Sequence, residues 1–255
     1  MLQRYEIKSR ARGRYQNQYY WTIVLSGGLY LLILYLMSGS FFPRDVNYTV
    51  TYSGFSVQTA QNMGVLGVVC FLLCLLVGTV LVTGLCSYYL RIWRGDSVQL
   101  TTPLQAFYDY GRRLGGMLYM ALFLFLWTLL FVIPGIVKAY SYFCTPYILA
   151  DCKNVPPTKA LELSKKMMYG NKGKVFVAQL SFLGWILLMA LVAGVAAGVV
   201  GWMSGSAASV VGAVVVFAVE VLFLFPYTQL TMAGYYDEIK RDALARGVVS
   251  PADFE

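Results

Sequence analysis

The sequence predicts an all-α fold: a six-helix polytopic membrane bundle built from three helical hairpins, each preceded by a cytoplasmic amphipathic helix. Three observations predict it. Five long stretches carry almost no charge: residues 21–42, 63–90, 117–150, 175–203 and 209–236. A helix needs about 20 apolar residues to cross roughly 30 Å of hydrocarbon, and each stretch supplies them. Lys and Arg crowd the gaps between the stretches, and a Pro-Gly pair divides the third one near its middle.

Composition points the same way. The chain is 58% hydrophobic and 13% charged, with a mean hydropathy of +0.62. A soluble domain carries about 25% charged residues. The net charge of +8 is not a nucleic-acid signal, because the basic residues flank apolar segments as the positive-inside rule requires. No nucleic-acid partner is expected. The chain has no His, which excludes His acid–base catalysis, Ser-His and Cys-His pairs, and His metal sites. Cys70, Cys74, Cys86 and Cys144 lie in apolar stretches and Cys152 at an inner end, so a disulfide framework is not expected. Cys70 and Cys74 share a helix face; they read as small buried hydrophobes rather than a soft-metal site. No metal, cofactor or catalytic residue is predicted, and the chain is not expected to be an enzyme.

Taken in order, residues 1–20 hold Arg4, Lys8, Arg10, Arg12 and Arg14 and form a basic amphipathic segment. Residues 21–90 form hairpin 1; its first helix is read as an uncleaved anchor, too long and Tyr-rich for a signal peptide. Between its helices, residues 43–62 alternate Val, Tyr and Thr with polar residues, a pattern compatible with a short β-hairpin. Residues 91–116 form a cytoplasmic connector with Arg91, Arg94, Arg112 and Arg113. Residues 117–150 then run from one basic gap to the next, so they must cross an even number of times. Pro134 and Gly135 are the predicted turn, dividing a helix over 117–133 from one over 136–150. Residues 151–174 carry six Lys and an amphipathic helix: Pro157 suits its first turn, Ala160, Leu161, Leu163, Met167 and Met168 share a face, and Gly170 ends it. That helix either lies on the anionic inner leaflet or packs under the bundle as a connector. Residues 175–236 form hairpin 3, and 237–255 a cytoplasmic tail with Lys240, Arg241 and Arg246. Both termini are expected in the cytoplasm, in a cell-membrane protein with a single membrane domain over 1–255. The three amphipathic stretches end alike, at Tyr15-Gln16-Asn17-Gln18, Tyr110-Gly111-Arg112-Arg113 and Tyr169-Gly170-Asn171-Lys172. That predicts a threefold repeat; the alternative is the common grammar of membrane hairpins.

Two ionisable residues fall inside apolar stretches, Lys138 and Glu220. Intramembrane charge is costly, so they are candidates for an ion pair or a transport site. Against that, Lys138 can snorkel to the outer interface and a protonated Glu220 can bond a neighbouring helix. Pro146 and Pro226 are the predicted helix kinks. Gly194 and Gly198 form a small-xxx-small pair that suits close helix packing, inside the bundle or in a homodimer seam. Asp109, Arg112, Arg113 and Asp151 are the only polar residues that could converge for chemistry on lipid, and read more simply as interface charges.

The run Leu126-Trp127-Thr128-Leu129-Leu130-Phe131-Val132-Ile133-Pro134-Gly135-Ile136-Val137-Lys138-Ala139-Tyr140-Ser141-Tyr142 is distinctive, as is Thr145-Pro146-Tyr147-Ile148-Leu149-Ala150-Asp151. Lys159-Ala160-Leu161, Ser164, Met167-Met168, Gly170, Lys172 and Ser181-Phe182-Leu183-Gly184-Trp185 follow, and Pro226-Tyr227 and Tyr235-Tyr236 close the pattern. In these residues the chain resembles an uncharacterised integral-membrane family of Gram-positive bacteria, classed as a domain of unknown function. The resemblance implies a six-helix plasma-membrane protein and no particular reaction. Two departures stand out: Asn171 stands where the family often has His, and Gly78-Thr79 where its second membrane helix usually has Pro. A looser similarity runs to the membrane half of some bacterial glycerophosphodiester phosphodiesterases, whose catalytic half is missing here.

The expected role is a non-enzymatic scaffold or accessory membrane subunit. Its partners would be anionic inner-leaflet lipid and another membrane protein or a second copy of the chain. The alternatives are a small transporter or channel using Lys138 and Glu220, and a lipid-modifying membrane enzyme.

Overall fold

The computed structural model describes residues 4–16, 26–28, 50–52, 55–57, 65–204 and 224–254. The chain is mainly helical: α1 spans Arg4–Gln16, α2 Val65–Arg94, α3 Tyr110–Leu130, α4 Val132–Ser141, α5 Thr145–Asp151, α6 Pro157–Met167, α7 Lys172–Ser204 and α8 Phe225–Ala245. A 3-10 segment, Thr102–Asp109, leads into α3, and another, Pro251–Phe254, follows α8. Two three-residue strands, β1 (Val50–Tyr52) and β2 (Phe55–Val57), pair antiparallel with Val50 opposite Val57. This is the alternating Val, Tyr and Thr segment, where β-branched and aromatic residues favour extended backbone. Among the described residues, two helical segments are long and apolar enough to cross a membrane, Leu75–Arg94 and Thr102–Leu130.

The core sits at one end of the helices. Ile7 and Ala11 of α1, Tyr88 and Trp93 of α2, Ile148 of α5, Met167 of α6 and Tyr236 and Ile239 of α8 are fully buried there. The other end is different. Leu122, Phe125, Leu129 and Leu130 of α3, Ile133 of α4 and Trp185, Leu187 and Leu191 of α7 are more than half exposed. A soluble monomer rarely shows apolar surface on this scale.

The spacing places the reversal of residues 117–150 at Pro134-Gly135; in the structure it comes earlier. Phe131 is the extended residue between α3 and α4, with φ −157° and ψ 140°. Its N–H donates to the Trp127 carbonyl (3.1 Å), and its own carbonyl accepts from Gly135 N–H (3.1 Å). Pro134 therefore falls in the first turn of α4, where a helix leaves its N–H groups unpaired in any case. Gly135 serves approach rather than turning: a Cβ there would lie 2.9 Å from Thr128 Cα. The chain does go out and back, since a Cβ at Gly116 would meet Leu149 and Arg112 donates to the Leu149 carbonyl at 2.8 Å. The return is made in two pieces, α4 and α5, separated by a turn at 142–144.

α6 carries its apolar face inward. Ala160, Leu161, Leu163 and Met167 are buried against α3, α5 and α8, while Lys166 pairs with Glu162 at the surface (2.9 Å). Gly170 follows with φ +79°, a left-handed conformation that Gly adopts without strain. The expected apolar face is thus covered by protein. Ser164 ties α6 to the turn before α5: its hydroxyl donates to the Ser141 carbonyl (2.9 Å) and accepts from Cys144 N–H (3.2 Å).

Candidate functional site

Two helix ends and the middle of a third helix converge on a polar junction. The last turn of α2 brings Arg94, the last residue of α5 is Asp151, and α8 carries Asp237, Glu238, Lys240 and Arg241 within about one turn. Gly234 sets how closely α2 and α8 approach, because a Cβ there would lie 2.8 Å from the Trp93 ring. Arg10 of α1 covers the same indole, 4.8 Å from its centre, a cation–π contact.

Asp151 is the centre of the junction. It accepts a two-pronged bond from Arg94, Nη1 at 2.6 Å and Nη2 at 3.1 Å. Lys240 Nζ donates at 2.7 Å and Tyr236 Oη at 3.2 Å. The Tyr236 ring stacks on Tyr147, centroids 5.1 Å apart. Arg94 also donates through Nε to Asp237 (3.1 Å), and Arg241 bonds the other oxygen of that carboxylate and pairs with Glu238 (3.2 Å). Burial by itself would raise the Asp151 carboxyl, but the hydrogen bonds and charges of Arg94 and Lys240 outweigh it and hold it at about 2. A carboxylate this firmly ionised has no proton to give and is a weak base near neutrality. The junction joins α2, α5 and α8.

Of the four polar residues that the sequence grouped, the structure keeps Asp109, Arg112 and Arg113 together and sets Asp151 apart. Asp151 belongs to the junction. Arg112 reaches the Leu149 and Val155 carbonyls (2.8 and 3.0 Å) and Asp109 (3.9 Å). Asp109 and Arg113 line a cavity together with Ala150. Lys138 places its ammonium 4.4 Å above the Trp127 ring, which binds it to its own hairpin. Glu220 lies outside the described residues, and with it the Lys138–Glu220 pair. Pro146 and Pro226 are each the second residue of a helix, α5 and α8; Pro146 starts its helix rather than kinking one. A Cβ at Gly194 or Gly198 would meet nothing within 4 Å, so neither glycine marks a close approach among the described residues.

Arg94, Asp237 and Lys240 are the site residues that sequence reasoning missed. Each reads as an ordinary interface charge. Arg94 is 57 and Lys240 89 positions from Asp151, so no spacing rule joins them. The signal that existed was Asp151 itself, an acid closing an apolar motif.

Residues 129–243 match the model of a family described as "Protein of unknown function (DUF975)". That region is similar to an uncharacterised family, and it contains α4 to α7 together with Asp151, Asp237 and Lys240. No curated protein and no solved structure matches the chain.

Proposed function

We propose that the chain is a multi-pass cell-membrane protein of six helices in three hairpins, with both termini cytoplasmic, acting as a non-enzymatic scaffold or accessory subunit. The observation that carries this reading is the division of labour between the two ends. The charges gathered at one end hold helices to each other, with Asp151 bonded to α2 and α8. At the other end the large side chains of α3, α4 and α7 face outward, as lipid contact requires. The basic residues of the gaps put the junction at the inner face, where anionic lipid and a partner's juxtamembrane acids meet them. Outward apolar faces on α3 and α7 suit a membrane partner or a second copy of the chain.

Reporter fusions test the topology. Fusions at Glu255 and before Met1 should report the cytoplasm, and the protein should stay in membranes through alkaline carbonate extraction. An external terminus, or release by carbonate, overturns the arrangement. Lipid turnover by the purified chain that Asp151→Asn abolishes would overturn the non-enzymatic part.

A further inference from the structure

The geometry points to a phosphate-binding site in the cavity between the end of α2, the start of α3 and the end of α5. The cavity measures about 340 Å³, at the small end of ligand sites, roughly 300–1,000 Å³. Arg91, Arg113 and Lys153 line it, with Asp109, Ser87 and Tyr108. It opens outward, because Arg91, Lys153 and Tyr108 are exposed. Arg113 lies deep in it, only 6% exposed.

Arg113 is the unusual member. Its Nη1 donates to Thr83 Oγ (3.3 Å), but its Nε is buried with no hydrogen-bond partner. Asp109, the one carboxylate of the lining, lies 3.9 Å from the Arg112 guanidinium, and no acid among the described residues pairs with Arg113. Asp109 acts on Arg113 without forming an ion pair with it, so the buried guanidinium carries a desolvation cost that is only partly offset. An anion in the cavity removes that cost. Two guanidiniums and an ammonium offer more charge than one carboxylate uses, and the planar Arg fork matches two phosphate oxygens at once. The chemistry recognised is therefore a phosphate group.

Two sources carry that group, a phospholipid headgroup and free phosphate. The exposed face of α3 made by Leu118, Leu122, Phe125 and Leu129 lies about 120–180° round the helix from Arg113, so the fold does not choose between the two sources and the probes must. The site stands on the cavity; only its lipid source rests on the membrane reading proposed above, and carbonate extraction tests that separately.

The test is titration of the full chain in neutral detergent, followed by native mass spectrometry, with three probes: phosphatidylglycerol, inorganic phosphate and acetate. The variant is Arg91→Gln with Lys153→Gln, two exposed positions where folding should be unaffected and which circular dichroism checks. Arg113→Gln is the direct variant but leaves a hole in the core. Saturable binding of one phosphatidylglycerol, weakened at least tenfold in the double variant, supports the site and assigns a lipid headgroup. Phosphate binding with the same loss and no lipid binding supports the site and assigns free phosphate. Acetate binding as tight as phosphate, binding unchanged in the folded double variant, or no binding of either phosphate probe overturns the proposal.

Discussion

Asp151 shows at the scale of one residue what the junction does. Its carboxylate meets three donors from two helices besides its own, and its side chain is 11% exposed. Replacing it by Asn leaves Arg94 and Lys240 facing each other without the charge between them. Asp151 is largely buried but Arg94 is partly exposed, so losing these charge-assisted bonds costs about 1–3 kcal/mol; Asp151→Asn should lower the thermal midpoint in detergent, and an unchanged midpoint contradicts the junction. The pH dependence has a definite sign. The folded carboxyl, at about 2, lies below its ordinary value of 3.8. The unfolded chain therefore binds the proton first as pH falls. The stabilisation, about 2 kcal/mol, is complete above pH 4 and is lost as pH drops from about 4 towards 2. Denaturation of wild type should become easier across that window, and Asp151→Asn should flatten the response.

Single elements are held by close approach and by side-chain ties. A Cβ at Gly84 would overlap the Pro103 carbonyl oxygen, backbone that cannot swing aside. Gly84→Ala should cost about 1–3 kcal/mol by overpacking, and Gly234→Ala, against the rigid Trp93 ring, a similar amount. Gly194→Ala is the contrast: with open space around it and better helix propensity, the change should be neutral or stabilise by up to about 1 kcal/mol. A clear loss of stability there would reveal a second copy packed on α7. Ser164→Ala removes one donor and one acceptor from a fully buried turn, leaving backbone groups unpaired at a cost of about 1–3 kcal/mol. Unfolding curves for the four variants, compared in one detergent, check all of these. α6 itself was legible from residue spacing, because its apolar positions follow the helical period. The reversal at Phe131 was not. Proline is tolerated in a first helical turn as well as at a break, and only the start of α4 decides which applies.

For the whole molecule the two ends differ in what covers them. Trp93 is fully buried beneath Gly234 and Arg10, whereas Trp185 is 56% exposed on α7. In lipid nanodiscs with brominated acyl chains, a variant keeping only Trp185 should be strongly quenched and one keeping only Trp93 little. Equal quenching would contradict the assignment of the core to one end.

The sequence by itself determined the helical class, the apolar stretches, the existence of the apolar face of α6 and its end at Gly170. These depend on local period, composition and backbone freedom, which adjacent residues specify. Tertiary structure alone decided that Asp151 meets Arg94 and Lys240, that Lys138 rests on Trp127, and that Arg113 is buried in a cavity with more basic than acidic groups. Each depends on which helix ends come together. Charges far apart along the chain carry no mark of their partners, because electrostatic pairing follows distance in space rather than order in sequence.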